Sequence, residues 1–221
     1  MTLALFFLLA AADSQPIFDG STLNGWRWTD DSSQTIQPSW EASNGILRTS
    51  KKGVEVYLLT KESFKDFQFD FEWKAEKGAN SGIKYRMQSF GKSKSGRIEP
   101  TGLEYQITDD LSNPDALSTP RHSAGAIYDY VAPNKSKPAT PDRWHKGSIV
   151  VRGLHIEHWV DGKRVVNVDL DSPLAAAEFA KSTRSSATML RKQEKRESPI
   201  ALQYHDGEVQ FRNLRVRRFN D

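Results

Sequence analysis

The sequence predicts an all-β fold, an antiparallel β-sandwich of the jelly-roll type carrying one short helix. Two observations carry this. Short runs of alternating apolar and polar residues recur along the chain, and most are bounded by Gly, Asn, Asp or Pro turn residues. No alternation of strands with helices and no internal repeat is present, so a parallel sheet or solenoid is not expected.

The strongest pattern lies between Phe67 and Asp110. Phe67, Phe69, Phe71 and Trp73 alternate with Gln68, Asp70, Glu72 and Lys74. Ile83, Tyr85 and Met87 alternate with Gly82, Lys84, Arg86 and Gln88, and Leu103, Tyr105 and Ile107 with Glu104, Gln106 and Thr108. A period of two sends one set into a core and the other to the opposite face of a sheet. The EKGANSG turn between the first two runs predicts an antiparallel hairpin. One face would then collect Glu72, Lys84, Arg86, Glu104 and Gln106. A solvated sheet face with cross-strand charge pairs would look the same.

Elsewhere, Trp26 and Trp28 flank Arg27 after two turn dipeptides, and Asn44-Gly45 reads as a hairpin turn after SWEA. Val54–Leu59 reads as a strand. LSNPDALSTPRHS reads as a loop, and AGAIYDYVAP as a short strand running into another loop. Asp161-Gly162 is a hairpin turn joining 154–160 to 164–168. Ser172-Pro173 is an N-cap with proline at the first helical position, opening the short helix LAAAEFAK. Two further strands flank Asp206-Gly207, with Ala201, Gln203 and His205 facing one way.

A chain of 221 residues without cysteine has no disulfide framework, zinc–thiolate cluster or thiol nucleophile. Leu3–Ala12 is apolar and ends in small residues, so residues 1–12 read as a signal peptide despite the missing positive n-region. The run is too short to span a membrane. Export of a cysteine-free protein fits a bacterial periplasm or cell envelope. The net charge is +3, yet residues 181–196 alone contribute +5, leaving the rest at −2. Such local basicity, without an RNA-binding aromatic signature, predicts a solvated, mobile excursion and no nucleic-acid partner.

Seven phrases occur in order: FDGSTLNGW, WEASNGIL, FKDFQFDFEWKAEKGANSGIKYR, GLEYQITDD, AGAIYD, KPATPDRWHKGSIVVRGLHIEHWVDGKRV and IALQYHDGEVQFRNLRVRRF. Together they resemble the 3-keto-disaccharide hydrolase domain family, long a domain of unknown function, over residues 16–219. The resemblance implies one domain with a concanavalin A-like lectin/glucanase jelly roll. Three departures stand out. Trp144-His145 replaces the usual Trp-Asn, Asp161-Gly162 the usual Asn-Gly, and Ser198-Pro199 stands where a Gly usually precedes the penultimate strand.

The resemblance implies cleavage of glycosides already oxidised to a ketone at C3. The ketone acidifies the C2 proton, a base removes it, the C1 oxygen leaves and water adds back. A glycoside 3-oxidoreductase upstream is the implied partner. On this reading Glu104 is the general base, since a carboxylate between Leu103 and Tyr105 points away from the core. Lys84 and Arg86 stabilise the enolate oxygen. His158 and His205 are acid/base candidates, although alternation leaves either His158 or Trp159 inward. Gln106 and Gln203 meet sugar hydroxyls, Asn80 stands at the adjoining turn, and Tyr128 and Trp144 offer stacking rings. Glu72 pairs with Lys84 or Arg86 across the hairpin. Asp109-Asp110 could join a divalent cation with loop oxygens, leaving metal dependence open. A sugar-binding module without catalysis is the main alternative. An ordinary endoglucanase fits poorly, because Gln106 stands where its middle strand carboxylate would be.

Overall fold

The computed structural model describes residues 13–29, 39–50, 56–92, 98–134 and 137–219; the signal-peptide expectation and part of the Val54–Leu59 strand fall outside them. The strands are β1 (Gln15–Pro16), β2 (Trp26–Trp28), β3 (Trp40–Ser43), β4 (Ile46–Thr49), β5 (Leu58–Thr60), β6 (Phe67–Ala75) and β7 (Asn80–Lys92). They continue as β8 (Ile98–Thr108), β9 (His145–Arg152), β10 (His155–Val160), β11 (Lys163–Asp169), β12 (Ala201–Leu202) and β13 (Val209–Arg218). Two antiparallel sheets result. The larger runs β11-β10-β9-β6-β13-β4-β3, with β1 on β13; the smaller runs β2-β5-β12-β7-β8. This is the β-sandwich that the alternation predicts.

Alternation dictates the core. β6 buries every second residue along its whole length. The inward rows of the two sheets meet through aromatic edges: Phe67 on Tyr85 at 6.3 Å and Phe71 on Tyr105 at 5.2 Å, both T-shaped. Phe71 lies directly over Gly147, where an added Cβ would come within 2.3 Å of the ring. That close approach explains a glycine inside a central strand.

The hairpin expected between β6 and β7 is not formed. The two strands belong to different sheets, because both present their apolar rows to the same core and so face each other. They part around residues 206–208: Glu76 N–H donates to Glu208 O, and Asn80 N–H to Asp206 O. Consequently Glu72 lies on the far side of the sandwich from Lys84. The hairpins at Asn44-Gly45 and Asp161-Gly162 do form, with positive φ at both turn residues as a type I′ turn requires.

Three α-helices appear among the described residues, α1 (Pro114–Ser118), α2 (Pro173–Phe179) and α3 (Ala187–Lys192), together with a 3-10 turn at Pro120–His122. The Ser172 hydroxyl caps α2 as predicted, accepting from Ala175 N–H at 3.1 Å. α1 stands within the stretch read as loop; Asn113-Pro114 is its cap and first residue. α3 lies in the basic segment 181–196, whose charged residues are mostly solvent-exposed as expected but which is anchored to the fold. Leu190 is buried, and Gln88 exchanges hydrogen bonds with the Lys195 backbone at 2.7 and 2.9 Å. No helix among the described residues is long and apolar enough to cross a membrane.

His158 takes the inward option that alternation left open. It is fully buried between the sheets, with Nδ1 3.0 Å from Gly125 O and Nε2 2.7 Å from the Tyr85 hydroxyl. One neutral tautomer satisfies both contacts: Nδ1–H donates to the carbonyl and Nε2 accepts from the phenol. Burial pushes its pKa down from 6.5 to about 4. Below 6.5 the unfolded chain therefore binds a proton that the folded chain refuses. The corresponding stability is present above about pH 6.5 and lost as pH falls toward about 4, on the order of 3 kcal/mol in total. Denaturation of wild type and His158→Gln across this window should show a steeper acid loss in wild type; parallel curves would contradict the assignment.

Candidate active site

Glu104 and Lys84 are register partners on β8 and β7 and both point off the outer face of the smaller sheet. Lys84 Nζ lies 3.6 Å from Glu104 Oε2, and the side chains are 15% and 11% exposed. Lys84 also donates to Pro100 O at 3.1 Å and sits over the Tyr57 ring at 5.1 Å. Burial alone would lower the lysine pKa, but Glu104 and Tyr57 outweigh it and hold it above its usual value. The ammonium is thus a fixed charge beside the carboxylate.

Glycine opens the space for this carboxylate. A Cβ built on Gly82 would lie 2.4 Å from Glu104 Oε1, so the acid rests directly over Gly82. Beyond it Gln203, whose N–H donates to Gly82 O, reaches with Nε2 to the Tyr57 hydroxyl at 3.0 Å. Gln106 Nε2 donates to Asn80 Oδ1 at 2.9 Å. Gln106 is only 1% exposed, so it supports Asn80 from beneath instead of meeting a sugar directly as expected. Its Oε1 is buried without a hydrogen-bond partner among the described residues. His205, two residues past Gln203, is exposed at the rim.

On the other edge of β8, residues 125–128 continue the sheet as an irregular strip. Gly125 N–H donates to Gln106 O and Tyr128 N–H to Glu104 O. This is where a short strand was expected. Tyr128 therefore stands beside Glu104, but His122 stacks on its ring at 4.4 Å and Arg184 lies over it at 5.1 Å. Protein groups occupy the ring that was expected to stack on sugar. Its hydroxyl donates to Asp115 Oδ2 at 2.9 Å, and His122 bridges Asp115 (2.8 Å) and Asp129 (3.3 Å). Burial and the neighbouring Asp115 push the phenol pKa up.

The structure places four other expected residues elsewhere. Arg86 sits at a bulge in β7 with φ of 50°, which breaks the alternation. Its side chain is buried and donates to Asp66, Gly153 O and Lys65 O, bracing the two sheets. Glu72 pairs with Arg212 at 2.7 Å on the outer face of the larger sheet, and Trp144 lies there too, with Arg212 4.0 Å from its ring. His158 is in the core. The Asp109 carboxylate accepts from Gly78 and Leu111 N–H, that of Asp110 from Ala124 and Ala139 N–H. Both acids fasten loops, and no group of three or more metal-ligating residues converges among the described residues. A groove of about 900 Å³ runs along β1 and the end of β13, away from Glu104.

Tyr57, Arg184, His122 and Asp129 carry no local sequence signal for this site. Tyr57 reads as part of an apolar strand, and Arg184 as one charge in a basic run. Only the phrase around Tyr128 points to this edge.

The site geometry makes Gly82→Ala informative. The added methyl displaces the Glu104 carboxylate, which is the flexible end of a side chain, so the melting temperature should change little. Turnover should fall about 100-fold, the scale expected for a misplacement near 1 Å. Unchanged kcat would show that the position of Glu104 is immaterial.

The model of the 3-keto-α-glucoside-1,2-lyase-like domain matches residues 13–217. A 3-keto-disaccharide hydrolase of Bacteroides thetaiotaomicron is 31% identical, the match covering 91% of this chain and 77% of that protein. A crystallised Parabacteroides distasonis protein assigned to the glycosyl hydrolases superposes with a TM-score of 0.80 at 20% identity, covering 96% of each chain. A second from the same species gives 0.72 at 23%, covering 93% of this chain and 99% of that one. These two share the fold. The sequence matches go further, and by them the chain belongs to the 3-keto-α-glucoside-1,2-lyase-like domain family.

Proposed function

We propose that the protein cleaves the glycosidic bond of 3-keto-glycosides by elimination and rehydration, with Glu104 as the base. The observation that carries this is the partly buried carboxylate, seated over Gly82 with an ammonium 3.6 Å away. A C3 carbonyl makes the C2 proton acidic enough for a carboxylate to remove. The C2–H electron pair becomes an enolate, whose negative oxygen faces Lys84. The enolate collapses, re-forming the C3 carbonyl, making C1=C2 and breaking the C1–O bond. Glu104 hands its proton to the departing oxygen. Water then adds its hydroxyl to C1 and a solvent proton to C2, which completes the hydrolysis.

The remaining groups fit around this centre. Gln203 and Asn80 flank Gly82 and serve as sugar hydroxyl contacts, with Gln106 holding Asn80 in place. His205 at the rim serves proton exchange during water addition. The family name and the B. thetaiotaomicron relative support hydrolysis of a glycoside; elimination is our reading of the residues.

A product assay with 3-keto-trehalose beside trehalose tests the reading. Wild type should release 3-keto-glucose from the oxidised sugar alone. Glu104→Gln should remain folded and lose about 1,000-fold or more in kcat, in the range of a lost general base. Full activity in that variant would remove Glu104 as the base. Binding of both sugars with cleavage of neither would instead mark a binding module.

A further inference from the structure

We propose that Arg184 is a second cationic catalytic residue, supporting the departing oxygen at C1 from the side of Glu104 opposite Lys84. This rests on the elimination proposed above. The order across the sheet is β7, β8 and then the strip at 125–128. Lys84 flanks Glu104 from β7, while Arg184 lies over Tyr128, whose N–H bonds the Glu104 carbonyl on the other edge. A base at C2 has two neighbours to serve, C3 and C1, and they lie on opposite sides of it. If the carbonyl oxygen at C3 faces Lys84, the oxygen leaving C1 is carried toward Tyr128 and Arg184.

Arg184 is held for such a role. Its Nε is 3.2 Å from Asp129 Oδ2, and its backbone N–H donates to Ser182 Oγ at 3.1 Å. Ser182 in turn bonds Asp129, whose other oxygen faces His122. The side chain nevertheless remains 53% exposed, open to a ligand. Burial acts to lower its pKa, but Tyr128, Asp129 and Glu104 outweigh this, so the guanidinium is a permanent charge within reach of the Glu104 field. A permanent cation does not donate its proton. Its contribution is hydrogen bonding to the oxygen as the C1–O bond breaks, before that oxygen receives the proton carried by Glu104.

This assigns Arg184 an effect that depends on the leaving group. A 4-nitrophenolate leaves well unaided; methoxide or a sugar alkoxide does not. The experiment measures kcat/KM for a series of 3-keto-glucosides from 4-nitrophenyl to methyl, with wild type, Arg184→Gln and Arg184→Lys. Arg184→Gln should lose less than about 5-fold on the nitrophenyl substrate and about 100-fold or more on the methyl glycoside, the scale of a lost charge-stabilising donor. Arg184→Lys should recover part of the second loss. The nitrophenyl rate serves as the control for folding. An equal loss across the series, or none, would overturn the role of Arg184 while leaving the elimination intact. Failure of wild type to cleave any member would overturn the elimination and this inference with it.

Discussion

Face-to-face packing of aromatic rows decides most of this structure. Phe67 and Phe71 on β6 meet Tyr85 and Tyr105 on β7 and β8 edge-on. Such large rings bury much area and fix geometry. Because these rows must face one another, β6 and β7 cannot share a sheet, although only a short turn separates them. The same packing sends Glu104 and Lys84 outward from the smaller sheet. Site and core are therefore set by one alternation, read on its two sides.

The electrostatics follow from that placement. Glu104 lies between a lysine on one neighbouring strand and an arginine above the strip on the other. A carboxylate so bracketed is suited to chemistry in which negative charge appears first beside it and then leaves. The network from Tyr128 through Asp115, His122 and Asp129 to Arg184 makes the outer wall rigid, with several members sharing acceptors. Such networks couple strongly, so single substitutions there will not be additive.

Fold class, the two type I′ hairpins and the capped helix are legible in the sequence because each has a local cause: alternation, Asp-Gly or Asn-Gly, and Ser-Pro. Glu104 and Lys84 are legible for the same reason. Arg86 is not, because a bulge with positive φ turns it off the face its alternation assigns. Glu72 and Trp144 are misplaced by sequence reasoning because alternation gives a face but not a sheet. Arg184 and Tyr57 reach the site through tertiary contacts, for which no local pattern exists. Two of the three departures from the family pattern prove to touch. His145 Nδ1 lies 2.9 Å from Asp161 Oδ2, with the imidazole stacked on Trp73.

Proton removal from C2 by Glu104 is the central step of the proposed mechanism. Turnover of a 3-keto-disaccharide in D2O, followed by mass spectrometry and NMR of freshly released 3-keto-glucose, reads that step directly. Elimination predicts one deuterium at C2, well above the level in free 3-keto-glucose incubated alone. Retention of the original C2 hydrogen through turnover would mean direct displacement at C1, and would contradict the role of Glu104 as the base.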